Sequence, residues 1–247
     1  MSDVMAAVSD WRARPWIGFD LETTGRDQTT ARIITAALVD AQDAAASQTW
    51  LVNPGIPIPP ESTAVHGITD EVARDGGQDP VSACTAIAEV LRRHWASGGV
   101  VVAYNAQYDF TVLVHELRRH GCPDLQVGPI LDPLVLWRGV EKYRKGKKRL
   151  ADAIERFGVP QNTKEHDAMA DATATLAVMR ALADHEELLA VDAGSIPEIM
   201  DLQRAWHRQW AEDFAAWFAQ QGRDASSVDS HWPVGRSAPW CQFAEDV

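Results

Sequence analysis

A mixed α/β fold is predicted by two features of the sequence. Three short apolar runs follow one another closely near the N-terminus, joined by brief polar connections, as in neighbouring antiparallel strands. After them, apolar runs alternate with helix-like segments, which adds parallel strands to the same sheet. The chain of 247 residues suits one large domain, or one domain with an appendage. With 46% hydrophobic and 23% charged residues it can bury an ordinary core, which excludes disordered and collagen-like classes.

WIGFDLE (16–22), ARIITAALVD (31–40) and SQTWLV (47–52) are the three opening strands. Four prolines between 54 and 60 make the following stretch a loop, and 61–66 forms a short helix with Pro60 at its start. Asp79 and Pro80 read as cap and first residue of a helix reaching about Ala96. VVVAY (100–104) is a buried strand, and a helix from about Tyr108 to His120 stops at Gly121. PILDP (129–133) is a fifth strand leading into a helix near 133–140. Another helix covers about 149–157, stopped by Gly158 and Pro160. An alanine-rich helix runs from near Asp167 to about Leu189.

Beyond it the composition changes. Ile199, Leu202, Trp206, Trp210, Phe214 and Trp217 recur at three- and four-residue steps, as on one face of a helix from Pro197 to about Gln221. Residues 1–190 are therefore read as the main domain. Residues 191–247 are read as an aromatic-rich appendage packed on it, with a base-stacking or partner surface as the second reading of its rings.

No run approaches the roughly 18 apolar residues of a membrane span, and the N-terminus lacks a secretory apolar stretch. Cys84, Cys122 and Cys241 are odd in number and far apart, which excludes a disulfide scaffold and a cysteine zinc site. The expectation is a cytoplasmic protein without membrane contact. Its net charge of −12 argues against a general nucleic-acid coat. Yet residues 138–149 (RGVEKYRKGKKR) carry seven Lys/Arg and one Glu, net +6, leaving −18 on the remainder. Such a strip suits local capture of a polyanion, or is simply a solvated loop.

Asp20 and Glu22 stand two apart on the first strand, so their carboxylates share a face. At an effective dielectric near 20, two such charges about 4 Å apart repel by about 4 kcal/mol. A bound cation relieves this, and all-oxygen ligands favour Mg²⁺ or Mn²⁺ over Zn²⁺. Asp109, in NAQYDF, follows the fourth strand where a helix begins. His166 and Asp171, in HDAMAD, open the alanine-rich helix. Taken singly, these last two sets are ordinary helix-start carboxylates.

In this order and separation, WIGFDLETTG, VHGITDE, NAQYDF and HDAMADA resemble the DnaQ-like DEDD exonucleases, over about residues 15–185. The resemblance implies an RNase H-like fold, with a mixed five-stranded sheet flanked by helices. It also implies two divalent ions, Mg²⁺ or Mn²⁺, held by Asp20, Glu22, Asp109 and Asp171, with Asp20 bridging them. His166, five residues before Asp171, places the chain nearest the histidine subclass, DEDDh, and is the candidate base for the attacking water. Asp167 is a competing carboxylate whose simpler role is a helix cap.

The implied reaction is hydrolysis of the terminal phosphodiester at a free 3′ end to nucleoside monophosphates. Single-stranded DNA is the favoured substrate, RNA an open one, and a polymerase or replication protein a possible partner. Substrate contacts fall to Thr23, Thr24 and Gly25, to His66 of VHGIT, and to Tyr108, which also packs under the site. Lys145, Lys147 and Lys148 of the basic strip would follow the phosphates upstream of the cut. The competing readings are an RNA-trimming nuclease of the oligoribonuclease or RNase T kind, and a non-catalytic nucleic-acid or polymerase-binding module.

Overall fold

The structure, a computed structural model, describes residues 10–160, 167–191 and 193–238. A five-stranded sheet has the order β3-β2-β1-β4-β5. Its strands are β1 (Trp16–Thr23), β2 (Ile33–Asp40), β3 (Gln48–Leu51), β4 (Val100–Val102) and β5 (Ile130–Leu131). β1, β2 and β3 pair antiparallel, while β4 and β5 add in parallel beside β1. The mixed sheet matches the reading of 16–52 as one antiparallel series followed by crossovers.

The helices are α1 (Pro60–His66), α2 (Asp70–Gly76), α3 (Pro80–Ala96), α4 (Ala106–Arg119), α5 (Pro133–Val140), α6 (Leu150–Phe157), α7 (Ala168–Ala183), α8 (Glu186–Leu189) and α9 (Ile196–Gln220). α3 and α4 cover one face of the sheet, where Ile17, Phe19 and Leu21 meet Ile87, Phe110 and Leu113. α5, α6 and α7 cover the other, where Val100, Val102 and Leu131 meet Leu136, Ala153 and Leu176. No described helix is long and apolar enough to cross a membrane. Cys84 and Cys122 are free thiols, and Cys241 lies outside the described residues.

Three expectations are corrected. The helix expected from 167 to 189 is two helices. α7 stops at Ala183, and the His185 ring nitrogen accepts from Glu187 N–H to start α8. α2 was not foreseen; Thr69 caps it through Val72 N–H, with Asp70 and Glu71 in its first turn.

The third correction concerns α9, whose buried residues are Ile199, Met200, Gln203, His207 and Ala211 rather than the aromatic stripe. Two polar side chains face the core here: Gln203 with its amide fully hydrogen-bonded, and His207 bonded through one ring nitrogen while its buried Nδ1 has no partner among the described residues. Gln203 Nε2 donates to Ile130 O, its Oε1 accepts from Asp132 N–H, and the His207 ring bonds Asp229 O. The rings are thereby rotated to one side. Trp206 lies over α5 where residue 139 is glycine; a Cβ there would sit within 1.8 Å of the indole.

Candidate active site

The site is built at the carboxyl end of β1. Alternation along the strand turns Ile17, Phe19 and Leu21 to the α3/α4 layer and Gly18, Asp20 and Glu22 to α7. Gly18 sets how close α7 comes, because a Cβ at this position would meet Ala172 O at 2.6 Å. The α7 backbone therefore lies against β1 at the residue next to Asp171. Asp167 caps the helix, its carboxylate accepting from Met169 and Ala170 N–H. That fixes Asp171 in the first turn, facing the strand.

Oxygen atoms of Asp20, Glu22 and Asp171 all lie within 4.8 Å of one another, in residues that remain partly open to solvent. Burial pushes the Glu22 carboxyl up to about 8, with the charge of Asp171 and then Asp167 adding to it. Asp20 is raised well above the ordinary range, first by burial and then by Asp109, Glu22 and Asp171. Three hard oxygen donors that repel one another when ionised are a donor set fitted to a hard divalent cation.

Asp109, the fourth expected acid, is not in this trio. It is buried in the first turn of α4, and its Oδ1 accepts from Leu21 N–H at 3.1 Å. It reaches the group through its field on Asp20 and through the strand it holds. Its own pKa is raised by burial, against the pull of that backbone donor. His166 lies outside the described residues, immediately before the capping Asp167.

Beyond Glu22 the chain turns under Tyr108. The Tyr108 phenol and the Thr23 hydroxyl lie within hydrogen-bond distance of Gly25 O and of each other, so their two protons are shared among the three oxygens. Thr24 Oγ1 accepts from Arg32 N–H, and Thr24 O accepts from the hydroxyl of Ser62 in α1. The Thr23 and Thr24 side chains and Tyr108 thus shape the turn. A Cβ at Gly25 would meet nothing within 4 Å, and its φ is not positive, so neither local strain nor packing explains a glycine there. His66 ends α1, its Nδ1 accepting from Ile68 N–H. The Ser62 bond brings that helix beside the 23–25 turn.

A residue that the sequence reading passed over supports the whole edge. The Asp132 carboxylate, buried, accepts from the backbone N–H groups of Asn105 and Ala106 at the start of α4. It also caps α5 through Leu134 and Val135 N–H, and takes the Trp232 indole N–H. One side chain therefore joins the N-termini of the helix bearing Asp109 and of its neighbour. Asn105 is held at φ +63 at that junction. The signal was present: Asp before Pro133 is the pairing of a cap with a proline at the first helical position.

The basic strip divides. Lys148 Nζ donates to the carbonyls of Trp137 and Glu141, closing the end of α5, and burial lowers its pKa to about 8. Glu141, the strip's one acid, gathers Arg144, Arg156 and the Trp137 indole. Lys145 and Lys147 are exposed.

A family model described as Exonuclease, RNase T, matches residues 17–179. A DNA polymerase III subunit epsilon-like protein of Rhodobacter capsulatus is 36% identical over 175 residues, which are 65% of this chain but 22% of that protein. An exonuclease of Escherichia phage 186, CP81, is 33% identical over 204 residues, 74% of this chain and 97% of the phage protein. Among solved structures, E. coli exonuclease I in complex with a dT13 oligonucleotide superposes with a TM-score of 0.58 at 18% identity. That match covers 72% of this chain and 42% of the other. The fold is therefore RNase H-like, as the motifs implied, and the chain spans about a fifth of the Rhodobacter protein it matches. By the family model and the phage relative, the chain belongs to the RNase T exonuclease family.

Proposed function

We propose that this protein is a DEDDh-type, divalent-metal-dependent 3′–5′ exonuclease that trims single-stranded DNA to nucleoside monophosphates. The observation that carries the reading is the meeting of Asp20, Glu22 and Asp171 within 4.8 Å at an open sheet edge. Asp20, Glu22 and Asp171, completed by Asp109, would hold two divalent ions, Mg²⁺ or Mn²⁺. Bound there, the ions supply a nucleophilic water at neutral pH and neutralise charge on the departing 3′ oxygen.

His166 takes the proton of the attacking water, for which an imidazole with an ordinary pKa near 6.5 is suited. The 23–25 turn, held by Tyr108, offers its backbone to the terminal sugar, and the bare Gly25 leaves room for close approach. His66 lines the same end from α1. Lys145 and Lys147 face the upstream phosphates, while Lys148 fixes the loop that carries them. Residues 1–190 form the exonuclease domain, and 191–247 an appendage seated on it through Met200 and Trp232. The epsilon-like and PolC-type relatives favour a polymerase as a partner in the cell.

The experiment uses 5′-labelled and 3′-labelled single strands of DNA and RNA with Mg²⁺, Mn²⁺ or EDTA. Stepwise shortening from the 3′ end, abolished by EDTA and faster on DNA, is the expected result. Internal cuts or activity in EDTA would contradict the proposal, and faster RNA trimming would reassign the substrate. His166→Ala is expected to lower the metal-saturated kcat by about 10²–10⁴. It should also flatten the limb of the pH–rate profile near 6.5; an unchanged profile removes His166 as the base.

A further inference from the structure

A groove of about 1270 Å³ lies between the 142–149 loop and the aromatic side of α9. It is larger than the roughly 300–1,000 Å³ typical of small-molecule sites, so its size suits an oligomer. Among the described residues its walls carry Arg138, Lys142, Arg144, Lys147, Lys148 and Arg149 but one carboxylate, Asp213, with Arg144 and Arg149 paired to Glu141 and Asp152 just outside it. This is a local inversion of a chain whose net charge is −12.

The opposite wall is a ladder of rings. Trp210 and Phe214 lie 5.3 Å apart at 16°, and Phe214 and Trp217 lie 5.8 Å apart at 11°. The Arg138 guanidinium anchors the ladder 3.5 Å over Trp210. At the open end Trp217 is 46% exposed, and across from it Tyr143 is 90% exposed. Aromatic surface left in water beside unburied cations marks a contact surface.

The inner end of the groove is formed by Tyr104 and Asn105. They directly follow β4, whose Val102 stands opposite Gly18, two residues before Asp20. Asp109 is one helical turn beyond Asn105. The Tyr104 hydroxyl donates to Lys148 O, tying the basic loop to this edge of the sheet. The groove therefore starts beside the carboxylate cleft and leads away from it.

We infer that this groove holds the single strand upstream of the cut, with its phosphates along the 142–149 loop and its bases against the rings of α9. The inference rests on the exonuclease reading and gives it a substrate class: strands long enough to leave the cleft. Parallel rings extend a stack of bases in any sequence, a geometry that an acidic peptide does not use. From Trp206 to Trp217 the helix rises about 16 Å, room for roughly three to five nucleotides. Lys142, now 3.2 Å from Asp213, can exchange that carboxylate for a phosphate.

The test measures binding of 5′-labelled dT3, dT6, dT12 and U12 to the full-length protein in EDTA, by fluorescence anisotropy across a salt series. An acidic 12-residue peptide serves as competitor. The parent protein should bind dT12 or U12 at least about tenfold more tightly than dT3. W217A, at an exposed ring, should lose about tenfold in dT12 affinity and change dT3 affinity by less than about twofold. The K142Q/K147Q pair should do the same and reduce the slope of log K against log salt by about 1.4. Parental dT12 affinity in both variants, or tighter binding of the peptide than of dT12, overturns the groove. In Mn²⁺ the parent protein's hydrolysis of these same strands reports the exonuclease reading separately. Shortening of dT12 with unaltered variants would sink the groove alone, and no shortening of any strand would sink the reading beneath it.

Discussion

Asp20→Asn should remove at least about 10³-fold of the hydrolysis rate while raising the melting temperature of the metal-free protein. Charge stabilisation by bound ions contributes several kcal/mol to such reactions, and about 4 kcal/mol corresponds to that factor. The opposite sign of the stability change follows from the carboxylates themselves. Asp20 is crowded by burial, by Asp109, by Glu22 and by Asp171, and a neutral amide relieves that repulsion. A variant that merely misfolds would lose both activity and stability, so the pair of readouts separates the two causes.

The same crowding makes the metal-free protein pH-sensitive. Glu22 holds its proton up to about 8 when folded and gives it up near 4.5 when unfolded. The unfolded chain therefore releases this proton first as the pH rises. The stability present below about 4.5 is lost progressively as the pH climbs through 8. Metal, which binds the ionised form, should restore more stability at pH 8 than at pH 6. Melting curves in EDTA and in Mn²⁺ at the two pH values check this. Equal metal-induced shifts would mean that no proton is displaced from the site.

Asp132→Ala should be the most damaging single change outside the carboxylate trio, costing about 3–5 kcal/mol. Its carboxylate is fully buried and serves four backbone N–H groups and the Trp232 indole. Removing it leaves several buried donors unsatisfied at once. Asp132→Asn keeps one carbonyl acceptor and should cost less. Denaturant unfolding measures both. Because Asp132 holds the α4 N-terminus that carries Asp109, the Asn variant should also weaken Mn²⁺ binding while remaining folded. A loss below about 1 kcal/mol for Asp132→Ala would show that water replaces the carboxylate and that the hub is unimportant.

What could be read from the sequence was whatever had a period or a spacing. β1 was legible because apolar residues alternate there with Asp20 and Glu22, and the crossover order because apolar runs and helix caps follow each other. The three acids that meet were visible as motifs. The position of Asp109, turned to Leu21 N–H rather than into the trio, depends on backbone geometry that no motif encodes. Gly18 was invisible for the same reason: its function is a distance to Ala172 O, and one glycine in a strand has no pattern. The α9 stripe misled because hydrophobic periodicity assumes that apolar residues face inward. Gln203 and His207 instead win the core through buried hydrogen bonds, leaving the rings at the side. The break between α7 and α8 turns on one capping histidine within an alanine-rich run.

The most direct test is anomalous diffraction from crystals soaked in Mn²⁺. A peak is expected within about 2.0–2.3 Å of oxygens from Asp20, Glu22 and Asp171. A second peak should lie about 3.5–4 Å from it on the Asp109 side. Manganese bound elsewhere, with no density among these carboxylates, would contradict a metal site there.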